Sequence, residues 1–342
     1  MITPDPHYRL LGRPLDPEMD WKSRCYPLCG YLPHSVNAPV YIKREDELNA
    51  NTSGTKQRKY LSLLPDLEHS GIRHVILIGS AHSNNVLDLA RLLKQRGYGI
   101  SALLKAPGDP LLRGNFLFLN MLLQPGDIHL LTPREWPRAE AIAKQMAESL
   151  DHRGIPTRYL PEGGYSPAVL PGILTLAGDL LDNMQQLDIR FRDIWTDSGS
   201  GVSASGLLLG LRLAGITDCT VHITLIAGDE STFQQRYRQL EQWLEQLSGT
   251  PLPPAGPRLH FLKPATAPAY GSINRTVLRQ TWMIARETGL LMDPVYSVKH
   301  LYTVKREMER ESPSTPQVVL YNGGTLGLCG FQEALASRQG VV

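Results

Sequence analysis

Lys56 is the residue whose type and position most invite chemistry. It follows a turn of small and polar residues, Asn49 to Gly54, and precedes a stretch in which Tyr60, Leu61, Leu63, Leu64 and Leu67 share one helical face. Ser53 and Thr55 are good caps, so Lys56 is expected in the first turn of a helix. A cation there opposes the helix dipole by a few tenths of a kcal/mol. That position is wrong for a structural lysine and right for one that must spend time as a neutral amine, as Schiff-base lysines do. The stretch SGSGVSASG (198–206) is a candidate anion cup, with the backbone of Ser198, Gly199, Ser200, Gly201, Val202 and Ser203 approaching the ligand at a helix start. It lacks the Gly-Lys-Ser/Thr of a Walker loop and the acidic residue roughly 20 positions on of a dinucleotide site. Asp197 beside it weakens the anion reading slightly, and a flexible strand–helix turn is the plainer alternative. In GSAHSNN (79–85), Ser83 and Asn84 open a helix either as caps or as ligands, and His82 faces either solvent or a substrate. Tyr270, Tyr296 and the turn NGGT (322–325), each taken alone, read equally as turn or core residues.

Alternating elements must position these groups. Val40 to Ile42, His74 to Ile78, Ile100 to Leu104 and Ile128 to Leu131 read as strands, as do Ile194 to Thr196, Val221 to Ile226 and Val318 to Tyr321. Between them, helices are expected over 86–93, 114–123, 135–150, 169–187, 207–213, 233–247, 274–288 and 298–308. The alternation predicts an α/β protein with two mostly parallel sheets covered by helices, and places the candidate loops at strand carboxyl ends, where such sheets bind ligands.

The 342 residues, 42% hydrophobic and 20% charged, suggest two domains or one core with a large insertion. A net charge of +2 without a basic, aromatic-rich stripe argues against a nucleic-acid partner. No apolar run reaches the roughly 18 residues of a membrane helix, and the first 20 residues lack a hydrophobic signal core, so a cytoplasmic protein is expected. The four cysteines (Cys25, Cys29, Cys219, Cys329) form no metal-ligand pattern, and free thiols with no metal are expected.

In this order, a helix-opening lysine, a Ser-Asn helix start and a Gly/Ser cup past the chain midpoint describe a pyridoxal-phosphate site. The pattern resembles the fold type II (tryptophan-synthase-β-like) pyridoxal enzymes. Within them it is similar to the branch of 1-aminocyclopropane-1-carboxylate deaminase and D-cysteine desulfhydrase. KRED (43–46) and SGTKQRK (53–59) stand where that family has KRDD and GGNKxRK. GSAHSNNVLD (79–88) stands for GxxQSNxxRQ, with His82 replacing the Gln. GNFLFLNML (114–122) fits a GN-x-LLLDL helix, Tyr270 a GYG tyrosine, DPVYSVK (293–299) a DPVYxGK motif and YNGG (321–324) a late H-x-GG turn. The correspondence runs from about residue 39 to 328.

The resemblance implies two three-layer α/β domains with the cofactor in the cleft between them: a large one from 1–58 and 161–342, and a small one from 59–160. It implies a homodimer, pyridoxal 5′-phosphate and a small amino-acid substrate. Lys56, Ser83, Tyr270 and Tyr296 would be catalytic, with Lys56 holding the cofactor and then taking the α-proton. Lys56, Asn84, residues 198–203, Asn322 and Thr325 would hold the cofactor, and Ser83, His82, Tyr165, Tyr270 and Tyr296 the substrate. The family's glutamate after the DPVY tyrosine is here Ser297. A neutral partner for the ring nitrogen (Ser297, Asn322 or Thr325) is expected to leave it less protonated, which suits α,β-elimination better than cyclopropane opening. Tyr165 replaces the serine of a PxGGS motif, and Tyr165 and His82 are expected to face the substrate or phosphate side. Ring opening of 1-aminocyclopropane-1-carboxylate, β-replacement or racemisation, a non-catalytic binding homologue and a different phosphate-binding enzyme are the alternatives.

Overall fold

The computed structural model describes residues 12–33, 35–48, 54–109 and 111–337. The expected turn over residues 49–53, with its Ser53 cap, lies outside them. Two sheets carry the chain. The larger has the order β1 (Cys25–Pro27), β2 (Val40–Arg44), β10 (Gln317–Tyr321), β7 (Asp193–Ser198), β8 (Thr220–Leu225) and β9 (Arg258–Leu262), with only β1 antiparallel. The smaller, wholly parallel, has the order β5 (Ile128–Leu131), β4 (Gly99–Lys105), β3 (His74–Ser80) and β6 (Thr157–Leu160).

Strand alternation sorts the helices into layers. On β10, Val318 and Leu320 pack with α5 (Leu170–Leu187) and α6 (Val202–Leu213), while Val319 and Tyr321 pack with α8 (Arg275–Thr288) and α9 (Ser297–Glu311). On β3, Val75 and Leu77 join α1 (Gln57–His69) and α2 (Asn84–Gln95), while Ile76 and Ile78 meet Ala139, Ala143 and Ala147 of α4 (Ala139–His152). α3 (Gly114–Leu122), α7 (Glu230–Ser248) and the short α10 (Gln332–Ala336) complete the helices. The two sheets share apolar core: the cluster around α1 continues through Leu170, Ile173 and Leu174 of α5 to Leu240 and Leu244 of α7.

Three sequence expectations are corrected. β1, β6 and β9 are strands not expected from the sequence, each short and beside prolines. α6 begins at Val202, not Leu207, so the second half of the Gly/Ser stretch is helix. Thr55 is no side-chain cap: Gly54 to Lys56 form a 3-10 turn leading into α1, and the Thr55 hydroxyl has no partner among the described residues.

Four buried charges fix the start of α1. Arg58 donates to both oxygens of Glu45 (2.6 and 2.8 Å), to Asp179 Oδ2 (2.7 Å) and to Thr175 Oγ1 (2.9 Å). Lys43 Nζ donates to Asp179 Oδ2 (2.5 Å) and to the Ser23 carbonyl (2.8 Å), and Ser23 Oγ donates to Glu45 (2.7 Å). Two cations and two carboxylates cancel, so the cluster is tolerable without water only while complete. Ser62 of α1 adds a clasp, donating to the Ala168 carbonyl (2.7 Å) and accepting from Gly172 N–H (3.0 Å).

Arg58→Ala leaves Glu45 and Asp179 facing one cation and is expected to cost about 3–5 kcal/mol in urea unfolding. Burial works to raise the Glu45 pKa, but Arg58, Lys43 and Ser23 outweigh it and hold the group below the ordinary carboxylate range. A depressed folded pKa contributes stability above the unfolded value and loses it as pH falls through the folded one. The acid limb of the stability profile should therefore flatten in Arg58→Ala.

Candidate active site

The turn carrying Lys56 is held against the turn after β10. Thr55 N–H donates to the Asn322 carbonyl (3.1 Å), and a Cβ on Gly54, whose φ is +58°, would fall on that same oxygen. Lys56 reaches a cavity of about 420 Å³ walled from both halves of the chain, by Ser83, Asn84 and Asn85 on one side and Asp197 to Gly201, Ser203, Arg236, Tyr270, Tyr296 and Asn322 on the other. Lys59, one helical turn after Lys56, also lines it. Burial pushes the Lys56 pKa down, against the opposing pull of Asp197, Asp293 and Asp88. The Lys56 amine lies 6.0 Å from the Tyr296 ring centroid.

Two helix N-termini face this cavity. At α2, Ser83 does cap, its Oγ accepting from Val86 N–H (3.3 Å), and it also lines the wall. Asn84 is oriented by Asn115 of α3, whose amide donates to Asn84 Oδ1 (2.6 Å) and to the His82 carbonyl (3.0 Å). At α6 the N-cap is Gly201, and the first-turn N–H groups lack helical partners. A Cβ on Gly199 would stand 2.9 Å from Tyr296 Cε1, so only glycine lets this loop meet the tyrosine. Beside the loop, Arg236 of α7 donates to the Ser200 carbonyl, and Lys59 Nζ donates to the Gly163 carbonyl (2.7 Å) and Asn85 Oδ1 (3.0 Å). Burial, then Lys56 and Arg236, bring the Lys59 pKa down to about 7. Two cations and a helix N-terminus thus crowd one end of the cavity.

Asp293 builds the tyrosine wall, accepting from the N–H groups of Val295 (2.9 Å), Tyr296 (2.8 Å) and Ser297 (3.1 Å). Lys299 Nζ donates to the Ala269 carbonyl (3.1 Å), holding the Tyr270 loop against α9. The Tyr270 and Tyr296 rings meet edge to face at 5.9 Å. Burial and Tyr270 push the Tyr296 pKa well above the ordinary phenol value, so its hydroxyl stays a donor.

Four expected residues lie off this wall. His82 is exposed, with its ring against Phe116 (6.2 Å). Tyr165 packs on Trp243 (4.8 Å), and its hydroxyl donates to the Arg236 carbonyl (3.3 Å), so it touches the site only through Arg236. The Thr325 hydroxyl pairs with that of Tyr321 (2.8 Å), and the Val202 side chain is core. Sequence reasoning did not single out Lys59, Asn85 or Arg236. Lys59 stood in the KQRK stretch and Asn85 beside Asn84, but nothing in the sequence placed Arg236, which comes from the second turn of another helix.

A cavity with a lysine whose pKa is pushed down, two inward helix N-termini and cations beside one of them, at the carboxyl ends of parallel strands, matches the pyridoxal-phosphate site expected from the sequence. No protein-family model matches the chain. A Pyrococcus abyssi protein provisionally named 1-aminocyclopropane-1-carboxylate deaminase is 28% identical over 308 residues, covering 89% of this chain and 91% of that one. The bifunctional D-cysteine desulfhydrase/1-aminocyclopropane-1-carboxylate deaminase, mitochondrial, of Arabidopsis thaliana is 26% identical, covering 97% and 87%. A crystal structure described as an ACC deaminase homologue superposes with a TM-score of 0.82 at 24% identity, covering 97% and 99%. Over about nine-tenths of its length the chain is thus similar to proteins named as 1-aminocyclopropane-1-carboxylate deaminases and D-cysteine desulfhydrases, and it shares the fold of an ACC deaminase homologue.

Pyridoxal 5′-phosphate is the cofactor that the resemblance implies, and the residues present fit it. Ser198 Oγ and Asn322 Oδ1 are buried without partners among the described residues, and both residues line the cavity. The crowded cations ask for an anion. Because folded Lys59 binds its proton more weakly than the unfolded chain does, stability of the cofactor-free protein should rise between about pH 7 and the ordinary lysine range. Lys59→Met should reduce that slope, leaving the part that the likewise depressed Lys56 contributes, read by urea unfolding across pH.

Proposed function

We propose that this protein is a pyridoxal-phosphate-dependent lyase that performs α,β-elimination on a small amino acid, releasing a 2-oxo acid and ammonia. The observation that carries this reading is Lys56, its amine pushed toward neutrality, in one cavity with two helix N-termini. When bound, the cofactor supplies an electron sink that acidifies the substrate's α-proton. The names of the relatives, deaminases and desulfhydrases, support the reaction class.

Each wall has a task in this reading. Lys56 would hold the cofactor through its amine and would take the substrate's α-proton. The first turn of α6, with Ser200, Ser203, Lys59 and Arg236, binds the phosphate. Ser83 and the N-terminus of α2 bind the substrate carboxylate, and Asn84 lies against the cofactor ring. Tyr296, kept protonated, donates to the departing β-group, and the half-exposed Tyr270 closes over the substrate. The electron pair leaves with the β-group, and the unsaturated amine that remains hydrolyses to oxo acid and ammonia.

The reading places the cofactor between a large unit (1–58 and 161–342) and a small one (59–160). Walls drawn from both, Asn84 from one and Ser200 and Tyr296 from the other, support it, although the 58/59 division falls in the first turn of a continuous α1. A homodimer would cover Leu117 and Met121, exposed one turn apart on α3. A cytoplasmic location accords with the four free thiols.

Borohydride should fix pyridoxal phosphate on Lys56, detected by peptide mass, and oxo-acid release should appear with one of a panel of D- and L-amino acids bearing β leaving groups. Lys56→Ala should lose the adduct and at least the roughly 10²–10⁴-fold that a positioned base contributes. A chain that takes up no cofactor refutes the reading.

A further inference from the structure

The turn after β10 and the end of β7 bring acceptors to the cavity wall. Asn322, just past β10, donates its amide N–H groups to Asp197 Oδ1 (2.9 Å) and Thr196 Oγ1 (3.0 Å) at the end of the neighbouring β7. Its Oδ1 is buried and has no donor among the described residues. The amide cannot turn over freely, because its oxygen would then face the Asp197 carboxylate. Asp197 therefore fixes an acceptor atom of Asn322 in place, and lines the same cavity. The other carboxylate of the wall, Glu162, is exposed. Ser297 and Thr325 are not on the wall: Ser297 Oγ donates to the Gly323 carbonyl (3.1 Å), and Thr325 is paired with Tyr321.

The cavity thus offers N–H donors and cations beside Ser200 and acceptors at Asp197 and Asn322. Its complement carries both an anion and an N–H donor. A bare pyridine nitrogen is an acceptor and would meet acceptors, whereas a protonated one is both donor and cation. We propose that Asn322 Oδ1 meets the cofactor's ring nitrogen and that Asp197, as positioning residue, keeps that nitrogen protonated. The inference rests on the functional reading above and deepens it. It replaces the expectation, drawn from Ser297, of a weakly protonated ring. Burial also raises the proton affinity of Asp197, against Asn322 and Lys56, and makes it a stronger acceptor; Asp293 is the other carboxylate whose charge it feels. A protonated ring is a deeper electron sink, so the substrate class widens to amino acids whose α-carbanion has no good β leaving group to relieve it, strained rings among them.

The test is the nitrogen NMR shift of pyridoxal phosphate isotopically labelled at the ring nitrogen and bound to the full chain. The unsubstituted protein and Ser297→Ala should both give the upfield shift of a pyridinium, and Asp197→Asn should move it to the bare-pyridine position. Where Asp197→Asn takes up no cofactor, Asn322→Ala, which removes the contacting oxygen, should show the same loss. A bare-pyridine shift in the unsubstituted protein, or a pyridinium shift surviving in the variant read, overturns the inference while leaving cofactor uptake on Lys56, and so the functional reading, standing. A chain that takes up no cofactor sinks both.

Discussion

The Arg58 guanidinium, buried between Glu45 and Asp179, is the interaction on which the placement of everything else depends. It joins the end of β2, the first turn of α1 and the middle of α5, which are far apart in sequence. Lys56 stands two residues before it. Charges in such a cluster must keep their partners, because any one left alone in the interior is penalised heavily. That requirement converts an ion network of modest net stability into a positional constraint on the lysine. The Thr55 to Asn322 hydrogen bond and the close approach at Gly54 complete it from the other side.

From this anchor the cavity follows as a consequence of parallel topology. β7 and β10 are neighbours and end at the same level, so their following turns, one leading into α6 and the other carrying Asn322, face a common space. The N-terminus of α2 opens onto it from the smaller sheet's side. Helix starts bring unpaired N–H groups, whereas strand ends bring side chains whose identity is open to choice. The protein has filled those choices asymmetrically, with Lys59 and Arg236 toward α6 and Asp197 with Asn322 toward β10. Electrostatic polarity across one small cavity is thereby set by four side chains from four elements.

Residues outside the wall tune those within it. Asn115 determines which way Asn84 presents its amide, Asp293 shapes the backbone that aims Tyr296, and Tyr165 packs beside Arg236. Each is one contact removed from the cavity. Their influence passes through hydrogen bonds and packing that leave little freedom, so differences in reaction among relatives with this fold can arise at such positions without any change in the lysine.

Much of the architecture was legible in the sequence, because continuous apolar runs followed by small polar turns and amphipathic helices admit few folds other than a layered parallel one. Lys56, Ser83, Asn84 and the 198–203 stretch could be marked as candidates from residue type and local context, whereas Tyr270, Tyr296 and Asn322 stood out only through the family resemblance. β1, β6 and β9 could not be read, since short and half-exposed strands beside prolines carry almost no periodic signal. The start of α6 was misplaced because glycine and serine disfavour helix locally, while tertiary packing supplied what propensity lacked. Only the tertiary structure turned His82, Tyr165 and Thr325 away from the wall and brought Lys59, Arg236 and the Asp197–Asn322 pair onto it. Local sequence determines which groups can begin a helix or end a strand. Which of them share a space, and with what charge beside them, depends on contacts across more than a hundred residues, and that was decided by the fold alone.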